Sequence, residues 1–292
     1  MRTFLFAAAA ALSAAALPAR TDDEPRAVKP TNLACNTKAD EDDPHVGSNN
    51  LVLYYACNAK GKFDIMFAKR SAANAKWGEG KAVEGYVQTA VDDRSCFATA
   101  EGTYPQFLYY ATKTDKETNN FDLYVAVKQA AGRDFSAPTP IDAADTPDDE
   151  LHPWLTKDGK QIYFSRKTKE GFRVFVASRK ETKGAGGFGK SELVEDLPPD
   201  FHHVTLTPDG ATMYLQGPLE KGRWGLFVSN KTDKGWGKPE PLDLLNDPSA
   251  PTGDRSPCLS RDGATLYFAS DRDGGKGGLD LWSVPVADLK KK

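Results

Sequence analysis

Ser256-Pro257-Cys258-Leu259-Ser260-Arg261-Asp262-Gly263-Ala264-Thr265-Leu266-Tyr267-Phe268-Ala269-Ser270, followed through a Gly-rich turn by Leu279-Asp280-Leu281-Trp282, is the clearest copy of a phrase that the chain repeats five times. A third copy reads His152-Pro153-Trp154-Leu155-Thr156-Lys157-Asp158-Gly159, then Ile162-Tyr163-Phe164-Ser165, then Phe172-Arg173-Val174-Phe175. The fourth gives His203-Val204-Thr205-Leu206-Thr207-Pro208-Asp209-Gly210, Met213-Tyr214-Leu215 and Trp224-Gly225-Leu226-Phe227. Two more worn copies precede them, Leu51-Val52-Leu53-Tyr54-Tyr55 with Phe63-Asp64-Ile65-Met66-Phe67, and Leu108-Tyr109-Tyr110 with Phe121-Asp122-Leu123-Tyr124. With Asp43, Asp93, Glu150, Phe201 and Asp254 as equivalent positions, the steps are 50, 57, 51 and 53 residues. That period is long for a solenoid and suits one blade of a propeller.

Each unit runs strand, tight turn, Leu/Tyr/Phe-rich strand, polar turn, third strand, variable loop, fourth strand. Asp158-Gly159, Asp209-Gly210 and Asp262-Gly263 supply the positive-φ residues that such hairpins need, with Asn49-Asn50 and Glu101-Gly102 in their place in the first two units. The fourth strand is marked by an aromatic and a small residue, as in Trp77-Gly78, Phe135-Ser136, Phe188-Gly189 and Trp236-Gly237. The fifth unit has no such mark downstream, whereas Val28-Lys29-Pro30-Thr31-Asn32-Leu33 resembles Lys238-Pro239-Glu240-Pro241-Leu242. The expected fold is therefore all-β, a single five-bladed propeller of four-stranded antiparallel blades over residues 20–292. The blades are expected near 43–90, 91–147, 148–198, 199–249 and 250–286, with an N-terminal strand in 26–35 pairing with the last blade to close the ring.

The first residues, Met1-Arg2-Thr3-Phe4-Leu5-Phe6-Ala7 and an Ala/Leu run to Pro18-Ala19, read as a secretory signal peptide over 1–19, too short to span a membrane. This places the mature chain in a periplasm or outside the cell. Lys and Arg number 38 against 41 Asp and Glu, interspersed, so no basic stripe exists for nucleic acid. Four cysteines without any Cys-x-x-Cys exclude a zinc knuckle, and an oxidising compartment permits disulfides, of which Cys57–Cys96 is the first choice.

The sequence of Pro or Ser, Ser-x-Asp-Gly, Leu-Tyr-Phe-x-Ser, Gly-Gly and Asp-Leu-Trp resembles the WD-like propeller repeat of the TolB type. That resemblance implies an extracytoplasmic β-propeller that binds or scaffolds. Asp64, Asp122 and Asp280 occupy the aspartate of the pattern and are expected to be structural; Arg173 and Gly225 replace it in the third and fourth blades.

The residues before each first strand are Asp43-Pro44-His45, Asp93-Arg94-Ser95, Glu150-Leu151-His152, Phe201-His202-His203 and Asp254-Arg255-Ser256. They contain all four histidines of the chain. First strands line a propeller's channel, so these positions are expected to form a polar rim at one mouth, with His45, His152 and His203 as candidate ligands of a divalent cation. The leading expectation is a monomeric, non-catalytic binding propeller that engages a protein or cell-envelope partner through this rim. An alternative is a hydrolase, because five-bladed propeller glycosidases place an Asp, an Asp and a Glu from three successive blades around the pore, an order this chain repeats as Asp43, Asp93 and Glu150. Another is a metal-binding propeller. No Gly-x-Ser-x-Gly elbow occurs, and Gly274-Gly275-Lys276-Gly277-Gly278 lacks the frame of a phosphate loop and reads as a hairpin turn.

Overall fold

The computed structural model describes residues 28–113, 119–182 and 184–289. The expected signal peptide lies outside the described residues.

Five antiparallel sheets follow one another along the chain. The first blade is Glu41–Val46, Val52–Cys57, Asp64–Lys69 and Lys81–Ala82. The second is Asp93–Ala98, Gln106–Thr112, Asp122–Lys128 and Thr139–Pro140. The third is Glu150–Leu155, Gln161–Thr168, Gly171–Ser178 and Glu192–Leu193. In the fourth, His202–Leu206, Thr212–Pro218 and Trp224–Thr232 are joined by two short outer pieces, Gly235–Trp236 and Glu240–Pro241. The fifth has Asp254–Leu259, Thr265–Ser270 and Asp280–Pro285, and its fourth strand is Thr31–Asn32, which pairs with Ser283 and Trp282. The ring is closed by the N-terminal strand, as the missing aromatic signature implied. Asn36 completes the seam as a strand residue would: its side-chain amide donates to the Leu281 carbonyl at 2.8 Å and accepts from the Leu281 N–H at 2.9 Å.

The second strands carry uninterrupted apolar runs because both of their faces are buried. Tyr54 packs with Cys96, Leu108 and Tyr110 of the second blade, while its neighbour Tyr55 packs with Tyr267 and Leu281 of the fifth. The same alternation repeats around the ring, giving one hydrophobic layer per blade interface.

The tight turns are as the Asp-Gly pairs implied. Gly159, Gly210 and Gly263 have φ of 67°, 68° and 74°, and the hydroxyls of Thr156, Thr207 and Ser260 donate to Asp158, Asp209 and Asp262 at 2.6 Å. The aromatic signatures sit in a bridging turn before the outer strand: the N–H of Gly78, Ser136, Gly189 and Gly237 each bonds back to the third strand. Asp280 caps the Gly-rich loop, accepting from the Lys276 and Gly277 N–H groups.

The expected Cys57–Cys96 disulfide is not made; all four cysteines are free and buried. Cys57 faces the layer between the fifth and first blades and Cys96 the layer between the first and second, so the two thiols point into different cores. Burial pushes the Cys57 thiol up to about 11 and Cys258 up to about 12, so neither is a thiolate nucleophile.

Candidate functional site

Every first strand breaks its ladder at one point, between Asp42 and His45, Arg94 and Phe97, Leu151 and Trp154, His202 and Thr205, and Arg255 and Cys258. At each break one non-glycine residue takes a left-handed backbone: Asp43 (φ 52°), Ser95 (54°), His152 (56°), His203 (51°) and Ser256 (55°). β-bulges of this kind re-aim side chains, and strained non-glycine residues gather at functional sites. Here the five side chains, one per blade, meet around the Asp43 carboxylate.

Asp43 Oδ2 accepts from Arg94 Nε at 2.7 Å, from Ser95 Oγ at 2.9 Å and from the Ser95 N–H at 3.2 Å. Its Oδ1 accepts from Ser256 Oγ at 3.3 Å and faces His152 Nε2 at 3.6 Å and His203 Nδ1 at 3.8 Å. The two imidazoles stack with centroids 3.8 Å apart. Ser165 Oγ lies 3.0 Å from His152 Nδ1 and accepts the His203 backbone N–H at 3.0 Å, fixing both residues. Asp42 supports the cluster by accepting from Arg94 at 2.8 Å and from Ser256 Oγ at 2.6 Å. Burial opposes ionisation of Asp43, but the Arg94 guanidinium outweighs it and holds the carboxyl well below the usual carboxylate range. Burial drives both imidazoles the other way, His203 down to about 4 and His152 well below its ordinary value, so both are neutral.

This arrangement corrects the expected rim. The equivalent of Asp93, Glu150 and Asp254 in the first blade is Glu41, not Asp43, because all four open their first strands. The blade-one register slips by two residues, so Asp43 takes the place expected for His45 beside His152 and His203. His45 lies one layer along the channel, its Nε2–H donating to the Ala98 carbonyl at 3.1 Å and its ring 4.4 Å from Phe97. His202 also leaves the ring: it stacks on Phe172, meets Trp224 edge to face and donates from Nδ1 to the Asp200 carbonyl at 3.0 Å.

The opening acids are clamps rather than pore groups. Glu41 accepts from Thr37 Oγ1 at 2.5 Å and the Thr37 N–H at 3.0 Å, and Asp93 from the Thr89 N–H at 2.7 Å and Oγ1 at 2.9 Å. Glu150 accepts from Thr146 Oγ1 and from Arg166 Nε at 2.7 Å. Asp254 accepts from the Asp247 N–H at 2.7 Å and Arg272 at 2.5 Å. Each ties a loop back onto its strand, and each is fully or almost fully buried.

Two cavities lie along the channel. The smaller, about 20 Å³, is walled by Asp43, His45, Ser95, His152, Trp154 and His203 among others. The other, about 310 Å³, opens at the far ends of the first strands, shares the His45 and Trp154 walls and adjoins a groove of about 820 Å³ between the third and fourth blades. Phe97, Phe107 and Trp154 give it an aromatic side, and Arg179 and Arg261 border it. Ser48, Ala100 and Thr103 form part of its edge, and between them lies Glu101, which sequence reading took only as part of a turn. The Glu101 carboxylate fills the space where a Cβ on Gly47 would stand. The Ser48 and Asn49 N–H groups lie near it without closing to hydrogen-bond geometry. Burial therefore raises its pKa to about 7.

The fold and channel define the class as a five-bladed β-propeller. No protein-family model and no curated protein matches the chain. Among solved structures, it is similar to an α-L-arabinofuranosidase from Podospora anserina, at 10% identity and a TM-score of 0.60, covering 90% of this chain and 98% of that one. The RS223 β-xylosidase matches at 12% identity and 0.59, covering 88% and 94%. TolB from Acinetobacter baumannii matches at 12% identity and 0.47, covering 83% of this chain and 53% of that one. At such identities the likeness is one of fold. It nevertheless corrects the expectation of a non-catalytic binding propeller, since several of the structures that share the whole ring are glycoside hydrolases. Among the described residues no helix is long and apolar enough to cross a membrane.

Proposed function

We propose that this chain is an extracytoplasmic glycoside hydrolase working in its central channel. The observation that carries the reading is a cleft of about 310 Å³ with an aromatic side at the end of the channel, flanked by two carboxyls of opposite ionisation: Asp43, kept ionised by Arg94 in the adjoining small cavity, and Glu101, raised to about 7 behind the Ser48, Ala100 and Thr103 edge. Acid–base hydrolysis needs this division of labour. Glu101, whose oxygens are buried against Gly47, must turn toward the cleft to give its proton to the leaving glycosidic oxygen as the C–O bond breaks. Asp43 Oδ1 takes a proton from water as its oxygen bonds the anomeric carbon, and the small cavity beside Asp43 has room for about one water. Phe97, Phe107 and Trp154 offer a face on which a sugar ring can stack. Asp93 and Glu150 are left as structural clamps. The likeness to an arabinofuranosidase and a xylosidase suggests pentosides as the first substrates to try.

The test is a panel of aryl α-L-arabinofuranosides and β-D-xylosides. Wild-type protein is expected to release the aryl group, and Glu101→Gln and Asp43→Asn to lower kcat by about 100-fold or more. Glu150→Gln should keep most of the activity while lowering thermal stability. Absence of turnover across the panel, or turnover indifferent to Glu101→Gln, overturns the reading.

A further inference from the structure

Three ligand atoms converge in the small channel cavity without a hydrogen bond among them. Asp43 Oδ1, His152 Nε2 and His203 Nδ1 all lie within 4.8 Å of one another, and the oxygen-to-nitrogen distances of 3.6 and 3.8 Å are too long for hydrogen bonds. His203 is 8% exposed, and its Nδ1 is buried with no partner at all. A buried imidazole nitrogen left in this state costs about 1–3 kcal/mol unless something fills the gap.

Two of the surrounding features favour a cation as the filler. Two ligands at about 2.0–2.1 Å from a tetrahedral zinc stand about 3.3 Å apart, so the two oxygen-to-nitrogen distances need shorten by only a few tenths of an ångström, while the imidazoles must open from their 3.8 Å stack to aim both nitrogens at one ion. Ser165 completes the support: with two lone pairs, its Oγ can accept both the His203 backbone N–H and a proton on His152 Nδ1, which leaves His152 Nε2 as a free lone pair facing Asp43. The cavity of about 20 Å³ admits one small ion or one water.

We infer that Asp43, His152 and His203 form a three-ligand site for a nitrogen-preferring divalent metal of the zinc class, held at the centre of the ring by one residue from each of three blades. Two imidazoles in a set of three disfavour calcium, which takes six to eight oxygens, and favour zinc, nickel or copper. The site stands on geometry and is independent of the hydrolase reading. An ion here engages the same Asp43 oxygen that hydrolysis would use, so zinc is expected to inhibit any glycosidase activity.

The experiment is calorimetric titration of chelator-stripped full chain with Zn²⁺, Ca²⁺ and Mg²⁺, with melting temperature and Co²⁺ absorption as parallel readouts. One Zn²⁺ per chain, a rise in melting temperature and a Co²⁺ visible band are expected. His203→Gln should abolish all three while the protein still melts cooperatively, and Ser165→Ala should weaken Zn²⁺ by about 10–100-fold. Binding unchanged in His203→Gln and in a separate His152→Gln, a preference for Ca²⁺, or no binding at millimolar Zn²⁺ would overturn the site and leave water as the occupant. None of these outcomes depends on turnover, so they are separable from failure of the hydrolase assay.

Discussion

At Glu101, burial without a hydrogen-bond partner keeps a proton on a carboxyl whose ordinary value is 4.5 and whose value here is about 7. The folded chain therefore holds this proton more tightly than the unfolded one. The associated stability is fully present below about pH 4.5 and is lost as pH rises through about 7. Glu101→Gln mimics the protonated form, so its melting temperature relative to wild type should be higher at pH 8 than at pH 5; a pH-independent difference would contradict the burial argument. The histidines work in the opposite sense. His45, His202 and His203, depressed to about 4 by burial, contribute stability above about pH 6.5 that is lost as pH falls toward 4. The same shift of Glu101 bears on catalysis, where kcat/KM is expected to fall on the alkaline side with an apparent pKa near 7, and Glu101→Gln to remove that limb. Little of this was legible in the sequence, where Glu101-Gly102 simply stands in for an Asp-Gly turn. Its burial depends on Gly47, which opens the Gly47–Asn50 turn without a positive φ and is explained once the carboxylate is seen beside it.

The first strand is the element on which sequence and structure part. Its strand order and blade membership follow from the repeat, but a period of two assigns side chains to faces only while the ladder is regular. The bulge at Asp43, Ser95, His152, His203 and Ser256 interrupts that period, so columns aligned by residue type put His45 in the place of Asp43. A local signal for the true register does exist in the sequence. Thr37 and Glu41, Thr89 and Asp93, and Thr146 and Glu150 are each four residues apart, and in each pair the threonine hydroxyl donates to the acid. Aligning those pairs would have set blade one correctly. Because the clamp joins a loop to a buried carboxylate, Thr89→Val is expected to cost about 1–3 kcal/mol, or roughly 2–12 °C in melting temperature. An unchanged melting temperature would argue that the acid finds another donor.

On the scale of the whole molecule, blade number and ring closure were readable from the repeat, because a missing fourth strand at one end and a spare strand at the other have one economical solution. That the cysteines stay unpaired was not, since adjacent residues of a blade face opposite interfaces and only the assembled ring shows which. Closure is made by the two ladder pairs of Thr31 and Asn32, the Leu33 N–H on the Leu281 carbonyl, the Leu279 N–H on Asp40 and the two side-chain hydrogen bonds of Asn36 to Leu281. Asn36→Ala removes both side-chain bonds and should lower stability by about 1–3 kcal/mol, with proteolysis between the first and fifth blades accelerated more than elsewhere; uniform susceptibility would show that the seam is not the weak point. The clasp also has a temporal side. Asn32 bonds to Asp280, 248 residues away, so the first strand of the chain waits for nearly the last before it has a partner. During synthesis, four blades can stack in order while their two open faces stay wet, and only the final segment converts that stack into a ring. A nascent chain halted before Asp280 would therefore hold blades but no finished central channel, and the Asp43 cluster would lack Ser256 only until the fifth blade arrives.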